Sequence, residues 1–302
     1  MKDFAYVTLY RLFRLFVLYT PKSVRFPVVR SMARFAYILD RRHRRIAYVN
    51  LDIAFDDTLP AEEKKRIVKR TYENLLFLIH DFVLNQSIGK TDLLEKVKIV
   101  DRHYIDEAAS RDKPLIFITA HYGNWEIAPL VSAALYGPIT IVGRPLDSRK
   151  MNEILKRGRE RFDVELVEKR GAMRRLITAL RNGRNVGLLV DQNTTRDEGI
   201  EVQFFGKTVR HTPAAALLAR RLDLAVVPIF VRSDDHEHYT IKVYPPIEPV
   251  KTENAEEDIK RHVQAQADVT ERAIREKPDE WFWLHKRWRS HYNTLYEKGP
   301  AR

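Results

Sequence analysis

The sequence PLIFITA, residues 114–120, runs directly into HYGNWE, residues 121–126, and this stretch decides the fold. The apolar run with a proline at its start predicts a short buried strand. The second part predicts a turn that opens a helix, with Asn124 as the N-cap and Glu126 in the first turn. Open α/β sheets bind their ligands at this kind of junction, where a buried strand ends and a helix begins.

Two side chains of this stretch, His121 and Glu126, form a candidate acid–base pair. On one continuous helix they would project about 140° apart, because a helix turns once every 3.6 residues, so they meet only if the histidine precedes the helix. A carboxylate that holds one imidazole nitrogen leaves the other free to accept a proton from a hydroxyl. The spacing therefore predicts His121 as a general base paired with Glu126, acting on a hydroxyl of the substrate. The alternative is structural, with the histidine at a strand end and the glutamate favouring the helix dipole.

Short apolar runs alternate with helical segments after residue 114. Strands are predicted at residues 115–119, 139–142, 186–190, 225–231 and 240–243, and helices at 147–162, 172–181, 213–221 and 256–276. This alternation implies βαβ units, so the predicted fold class is α/β, with a largely parallel sheet flanked by helices. Residues 1–112 are predicted to be mostly helical. No linker-like segment divides the chain, so we predict a membrane-interface helix at residues 1–20 and a single α/β domain at residues 21–302.

The composition limits the classes of partner and cofactor. The chain has no cysteine, which excludes disulfides and thiolate metal sites and suits a cytoplasmic location. The net charge of +12 predicts an anionic partner, and nucleic acid, an anionic membrane surface and an acidic carrier protein all qualify. The basic residues form no recognisable nucleic-acid motif, so we expect no nucleic-acid partner. The zincin, dinucleotide-binding and serine-hydrolase signatures are absent, so neither a metal nor a cofactor is predicted.

The N-terminal residues 4–20 are strongly apolar and aromatic, but Arg11 and Arg14 interrupt them. A membrane-spanning helix needs about 20 residues with few charges, and a signal peptide ends in a small-residue cleavage site that this segment lacks. The two arginines are three residues apart and share one helix face. This pattern predicts a helix that lies in the membrane interface, with its cations among anionic headgroups. The alternative is a buried helix of the globular domain.

Three further segments are candidate parts of a site. Arg144 follows a predicted strand and precedes a basic helix, where it would clamp a phosphate or stabilise an oxyanion, or else lie on a solvated surface. Asp191 ends another strand, although ordinary turn chemistry also explains an aspartate there. Residues 278–289, PDEWFWLHKRWR, place three tryptophans among basic residues, which suits either a membrane interface or a packed tail.

Taken together, these motifs resemble those of the late acyltransferases of bacterial lipid A biosynthesis, a branch of the lysophospholipid acyltransferase superfamily. The motifs that carry the resemblance are AHYGNWE at 120–126, RP at 144–145, LVDQ at 189–192, FFG at 204–206 and WFWLHKR at 281–287. The resemblance implies transfer of a fatty acyl chain from acyl carrier protein to a hydroxyl of a lipid A precursor, at the cytoplasmic face of the inner membrane. It also implies that His121 is the general base, that Glu126 is its partner, and that Arg144 and Asp191 lie on the substrate side.

The resemblance leaves the acceptor and the class of function open. Glu126 and the Asp191–Gln192 pair favour the lipid A branch over the glycerol-phosphate branch, which has Asp and a Pro-Glu-Gly block in those regions. A relative that acylates mannosylated phosphatidylinositol shares similar motifs, so a different glycolipid or a lysophospholipid is an alternative acceptor. Two further alternatives are ester hydrolysis with water as the acceptor, and a membrane-bound assembly protein whose His–Glu pair is structural.

Overall fold

A computed structural model describes residues 2–145 and 148–298 of the chain. Its first part is helical, with α1 at Lys2–Tyr19, α2 at Lys22–Leu39, α3 at Arg41–Ala54, α4 at Ala61–Asn85 and α5 at Lys90–Glu95. The middle part contains β1 at Val97–Val100, α6 at His103–Ala109, β2 at Ile116–Thr119, α7 at Ile127–Tyr136, β3 at Ile139–Gly143, α8 at Arg149–Glu160 and β4 at Val164–Glu168. It continues with α9 at Ala172–Arg181, β5 at Asn185–Leu189, β6 at Ile200–Phe204, β7 at Lys207–His211 and α10 at Ala214–Leu222. The last part contains β8 at Val226–Arg232, β9 at Tyr239–Val243, α11 at Ala255–Glu276, a 3-10 turn at Pro278–Glu280 and α12 at Arg289–Lys298.

The described strands form one seven-stranded sheet and a separate two-stranded hairpin. The order in the sheet is β1-β9-β8-β2-β5-β3-β4, and every neighbouring pair is parallel except β8 and β9. Strands β6 and β7 pair antiparallel outside this sheet. The predicted α/β class with a largely parallel sheet is therefore confirmed. The predicted helix at 147–162 begins at Arg149 among the described residues, while Leu146 and Asp147 lie outside them.

Strand β2 lies in the middle of the sheet and is covered on both faces. Ile116 and Ile118 face a hydrophobic cluster with residues of α9 and α10, whereas Phe117 faces a second cluster with residues of α7. Successive strand residues point to opposite faces, so burial on both sides requires a continuous apolar run rather than an alternating one. This is why β2 begins with three apolar residues in a row, Ile116, Phe117 and Ile118.

The register of β2 and β5 determines where the site forms. Thr119 pairs with Leu189 at the carboxyl ends of these two parallel strands. His121 and Asp191 each lie two residues beyond the end of their strand. Because parallel strands end at the same edge of the sheet, this register brings the two side chains together.

The two N-terminal helices pack on α4 and leave apolar side chains exposed. Helix α2 contacts α4 through a small cluster that contains Phe26, Val29 and Phe77. The outer face of the pair is apolar, with Tyr6, Leu9, Leu12, Leu15 and Tyr19 exposed on α1 and Val24, Val28, Met32, Phe35, Ile38 and Leu39 exposed on α2. None of the described helices is both long and apolar enough to span a membrane. The interface helix at residues 1–20 stays a prediction.

The tryptophan-rich segment is packed, which decides between its two interpretations. Trp281, Trp283 and Trp288 are at most 2% exposed, and all three belong to the largest hydrophobic cluster among the described residues. The indole rings of Trp281 and Trp283 meet edge to face, with 4.6 Å between their centroids. Aromatic pairs prefer this arrangement in a core. Segment 281–288 is thus part of the core and not a membrane-interface belt.

Candidate active site

His121 lies in a turn between β2 and α7. The predicted helix start is slightly wrong, because α7 begins at Ile127 and Glu126 occupies the N-cap position. Gly123 shapes the turn before the helix: its φ is +54°, and an added Cβ would lie 1.9 Å from the carbonyl oxygen of Val231. Only glycine tolerates this left-handed backbone so close to a neighbouring strand. Asn124 is not a cap, and its amide donates instead to Asp81 over 2.7 Å.

The imidazole of His121 is held by Asp191. Its Nδ1 lies 2.8 Å from one carboxylate oxygen of Asp191, and its backbone N–H donates to the other over 3.0 Å. The indole N–H of Trp281 also donates to this second oxygen, over 2.8 Å. Burial disfavours the charged form of Asp191, but the opposite charge of His121 and these hydrogen bonds outweigh it and hold the pKa of Asp191 well below its usual range.

The predicted hydrogen bond between His121 and Glu126 is wrong, because Asp191 and not Glu126 binds the histidine. Glu126 accepts from Arg159 of α8 over 3.0 Å, and Nδ1 of His121 is already taken by Asp191. The reason is the strand register, which places Asp191 beside the histidine, whereas the N-cap position turns Glu126 towards α8. Glu126 still acts through its charge. Burial lowers the pKa of His121, but the attraction of Asp191 and, more weakly, of Glu126 raises it above the ordinary histidine value.

The second nitrogen of His121 is the one available for proton transfer. With Nδ1–H donated to the Asp191 carboxylate, the neutral imidazole carries its lone pair on Nε2. Two aromatic rings pack against the imidazole, with centroid distances of 5.0 Å for Trp125 and 6.3 Å for Phe282. Gln192 donates to Nε2 from its amide over 3.2 Å. The ring is therefore fixed in the orientation and the tautomer that a general base needs.

A cavity of about 980 Å³ opens beside His121. This volume is at the upper end of the roughly 300–1,000 Å³ that is typical of ligand pockets. Its apolar part is built by residues of β2, α7, β3 and β5, which include Phe117, Ala128, Ile139, Ile141 and Leu188. Charged side chains of both signs line the rest of it: the cations Arg144, Lys156, Arg159, Arg175 and Arg184, and the carboxylates Glu126, Glu160, Asp163, Glu165 and Glu168. A cavity with an apolar part and a charged part suits a ligand that combines an apolar chain with polar groups.

The structure separates the four predicted site residues into two groups. His121, Glu126 and Arg144 line the same cavity. Asp191 is 3% exposed and lies behind the histidine rather than on the predicted substrate side. Arg159 also lines this cavity, whereas the sequence predicts it only as part of the basic helix that follows Arg144.

The C-terminal segment forms a wall of the site that sequence reasoning also missed. The backbone N–H of Phe282 donates to the carbonyl of His121 over 2.8 Å. His285 accepts from the backbone N–H of Asn193 over 3.1 Å, and burial lowers the pKa of this histidine to about 4, so it stays neutral. Arg287 donates to the carbonyls of Gln192 and Arg210. The WFWLHKR motif was the available signal, but the sequence contains nothing that joins it to residues 77 positions or more away.

A histidine oriented by a buried carboxylate, beside a cavity with apolar and charged side chains, is an arrangement suited to general-base chemistry on a bound ligand. The sequence profile described as bacterial lipid A biosynthesis acyltransferase matches residues 2–290. The chain therefore belongs to this family, and the predicted class of enzyme, an O-acyltransferase, is confirmed at the level of the family.

Characterised relatives are distant. The chain is 25% identical to the phosphatidylinositol mannoside acyltransferase of Mycolicibacterium smegmatis over 198 residues, which cover 64% of this chain and 63% of that protein, slightly under two thirds of its length. It is 23% identical to the lipid A biosynthesis myristoyltransferase of Escherichia coli over 274 residues, which cover 88% of this chain and 81% of that protein.

Proposed function

We propose that this chain transfers a fatty acyl group from a thioester of acyl carrier protein to a hydroxyl of a lipid A precursor, at the cytoplasmic face of the inner membrane. The observation that carries the proposal is the pairing of His121 with Asp191 beside the cavity. Among the described residues, the side chain hydrogen-bonded to Nε2 is the amide of Gln192 and not a hydroxyl. The substrate therefore supplies the nucleophile.

The proposed reaction needs no covalent enzyme intermediate. Nε2 of His121 accepts the proton of the acceptor hydroxyl while the hydroxyl oxygen forms a bond to the thioester carbonyl carbon. Asp191 stabilises the imidazolium that results. The carbon–sulfur bond then breaks, and the imidazolium returns its proton to the sulfur of the leaving carrier. Arg159, held by Glu126 in the same cavity, supplies positive charge for the oxyanion.

The surface of the molecule is consistent with the proposed donor and membrane. The exposed residues of α8 include Arg149, Lys150, Lys156 and Arg157, which suit an acidic carrier protein. The exposed apolar face of α1 and α2 suits a lipid surface, because a soluble monomer seldom leaves so many large apolar side chains in water.

A reconstituted assay tests the proposal. Purified full-length protein is incubated with acyl carrier protein that bears a radiolabelled fatty acid, and with vesicles that contain a lipid A precursor. We expect label to move to the lipid, and mass spectrometry to show the mass of one added acyl chain. The His121→Ala variant should lose this transfer while its circular dichroism spectrum matches that of the wild type. If the wild-type protein transfers no label to the lipid A precursor, the proposed acceptor is wrong.

A second acceptor is favoured by one observation, the similarity to the mycobacterial phosphatidylinositol mannoside acyltransferase. The same base and cavity would serve a mannose hydroxyl equally well, since the chemistry of the acceptor oxygen is the same. The assay therefore includes a parallel arm with vesicles of phosphatidylinositol mannoside. Preferential labelling of that lipid would replace the lipid A precursor as the acceptor.

A further inference from the structure

We propose that Gln192 occupies the proton-accepting nitrogen of His121 until the acceptor displaces it, and thereby limits hydrolysis of the acyl donor by water. This inference rests on the proposed function, because it assumes that His121 acts on an acyl donor. Gln192 donates from its amide nitrogen to Nε2 of His121 over 3.2 Å. Nε2 is the atom that must accept the proton of the attacking hydroxyl. The Gln192 amide therefore blocks the atom that the reaction needs.

The imidazole cannot turn away from Gln192. Asp191 holds Nδ1, and the backbone N–H of His121 is bound to the same carboxylate. Trp125 and Phe282 pack against the ring. With the ring fixed, Nε2 becomes available only when the glutamine side chain moves.

The backbone of residues 191–193 is fixed as well. The carbonyl of Gln192 accepts from Arg287, which is itself fully buried. The next residue, Asn193, donates its backbone N–H to His285 over 3.1 Å. The residue before it, Asp191, is 3% exposed. Gln192 itself is exposed, so its side chain is the movable part of an otherwise rigid turn.

The need to displace the Gln192 amide from Nε2 favours a lipid hydroxyl over water as the acceptor. A bound lipid hydroxyl replaces the lost hydrogen bond and adds its own contacts with the cavity, whereas a single water molecule adds no such contacts. Hydrolysis uses the same atoms as transfer: His121 takes a proton from water, the water oxygen bonds to the thioester carbon, and the carrier sulfur leaves with that proton. A net hydrogen bond of ordinary strength corresponds to a rate factor of about 2- to 10-fold.

The Gln192→Ala variant tests the inference. Full-length protein is incubated with radiolabelled acyl carrier protein, first without an acceptor and then with vesicles of the lipid A precursor, and free fatty acid and acylated lipid are counted. We expect hydrolysis without acceptor to rise about 2- to 10-fold, while kcat for transfer changes less. Gln203→Ala, which removes an exposed glutamine on the β6–β7 hairpin, is the matched control and should leave both rates unchanged.

A second variant separates occupation of Nε2 from a merely structural role. In Gln192→Glu, a carboxylate of the same length accepts from the protonated Nε2 and so favours the imidazolium. We expect the acid limb of the pH–rate profile to move to higher pH for both hydrolysis and transfer, with activity regained as the pH rises. An unmoved limb would mean that the side chain of residue 192 does not reach Nε2, and would overturn the inference.

The outcomes distinguish this inference from the proposed function. If the wild type hydrolyses the donor but transfers nothing to any lipid, the proposed function is wrong, and the hydrolysis rates of the Gln192 variants still test the role of Gln192. An unchanged ratio of hydrolysis to transfer in Gln192→Ala overturns the inference. A raised KM for the lipid with unchanged hydrolysis also overturns it, because Gln192 would then bind the acceptor. A wild type without either activity overturns both proposals.

Discussion

At the scale of single residues, the chemistry of the site depends on one buried carboxylate that accepts from three donors. Asp191 receives the imidazole and the backbone N–H of His121 and the indole of Trp281. A buried charge is stable only when hydrogen bonds and an opposite charge compensate its lost hydration. The same contacts that keep Asp191 ionised therefore fix the tautomer of the base, so that stability and reactivity have a common origin.

The pH dependence of the reaction follows from His121. Because its pKa is raised, the neutral base is lost as the pH falls through a value above that of an ordinary histidine, and the rate should fall with it. We expect Asp191→Asn to move this acid limb to lower pH, because the attraction that raises the pKa of His121 is removed, and to lower kcat.

His121→Ala should reduce kcat by about 10²–10⁴-fold. His103→Ala, which removes an exposed histidine, is the control, and a pH–rate profile of each variant checks the prediction.

The relative effects of two carboxylates test which one is the partner of the histidine. Glu126→Gln keeps the size of the side chain and removes a charge that acts on His121 at a distance while it holds Arg159. We therefore expect Asp191→Asn to reduce kcat more than Glu126→Gln does, with a smaller shift of the acid limb in the latter. If the acid limb shifts more in Glu126→Gln than in Asp191→Asn, Glu126 is the partner of His121, as the His-x4-Glu spacing predicts.

At the scale of elements, the C-terminal segment 278–288 is the part of the site that sequence reasoning could not place. The strand β2, the turn after it and the strand end at Asp191 are local patterns, and the parallel sheet brings the two strand ends to one edge. The hydrogen bond from Trp281 to Asp191 joins residues 90 positions apart, and hydrophobic periodicity carries no information about such contacts. Spacing alone likewise favoured Glu126 over Asp191, because only the register of the sheet decides which acid reaches Nδ1.

The role of this segment is tested by Trp281→Phe, which keeps an aromatic ring and removes the indole N–H. A buried carboxylate that loses one donor should destabilise the fold by about 1–3 kcal/mol. With one fewer competing donor, the carboxylate also attracts the proton of His121 more strongly, so the acid limb should move to higher pH. Thermal unfolding and the pH–rate profile measure the two effects. Trp283→Phe is the matched control, because its indole donates to the carbonyl of Pro278 and not to the site.

Helix α8 makes a separate prediction about the donor. Arg159 is largely buried against Glu126, whereas Arg149 and Lys150 at the start of α8 are exposed. The proposed docking of acyl carrier protein would therefore use these two exposed cations rather than Arg159. We expect the double variant Arg149→Glu/Lys150→Glu to raise KM for acyl carrier protein, with the difference from wild type shrinking as salt rises. Arg181→Glu/Arg221→Glu makes the same change of charge at the last turns of α9 and α10, near the opposite edge of the sheet. Equal effects of the two double variants would argue for a general effect of net charge.

At the scale of the whole molecule, the N-terminal helices present an apolar face that no described element covers. The exposed side chains continue past residue 20 into α2, so the face is wider than the single interface helix that the sequence predicts. Arg11 and Arg34 are exposed on the same two helices and suit anionic headgroups. Membrane attachment of this face would hold the enzyme next to a lipid acceptor.

Point substitutions test this attachment without removing a helix that packs on α4. Leu12 and Phe35 are 60% and 63% exposed, so Leu12→Gln/Phe35→Gln should leave the fold intact. Full burial of such side chains contributes about 1.5–3 kcal/mol each, so we expect binding to anionic liposomes to weaken at least about tenfold. Transfer to a vesicle-bound acceptor should fall by a similar factor, while transfer to a detergent-dispersed acceptor should change little.

Val250→Gln/Leu295→Gln is the control, because it removes two exposed apolar side chains elsewhere and should leave sedimentation with liposomes unchanged. Equal loss of activity in both acceptor formats would mean that Leu12 and Phe35 support the fold rather than the contact with lipid.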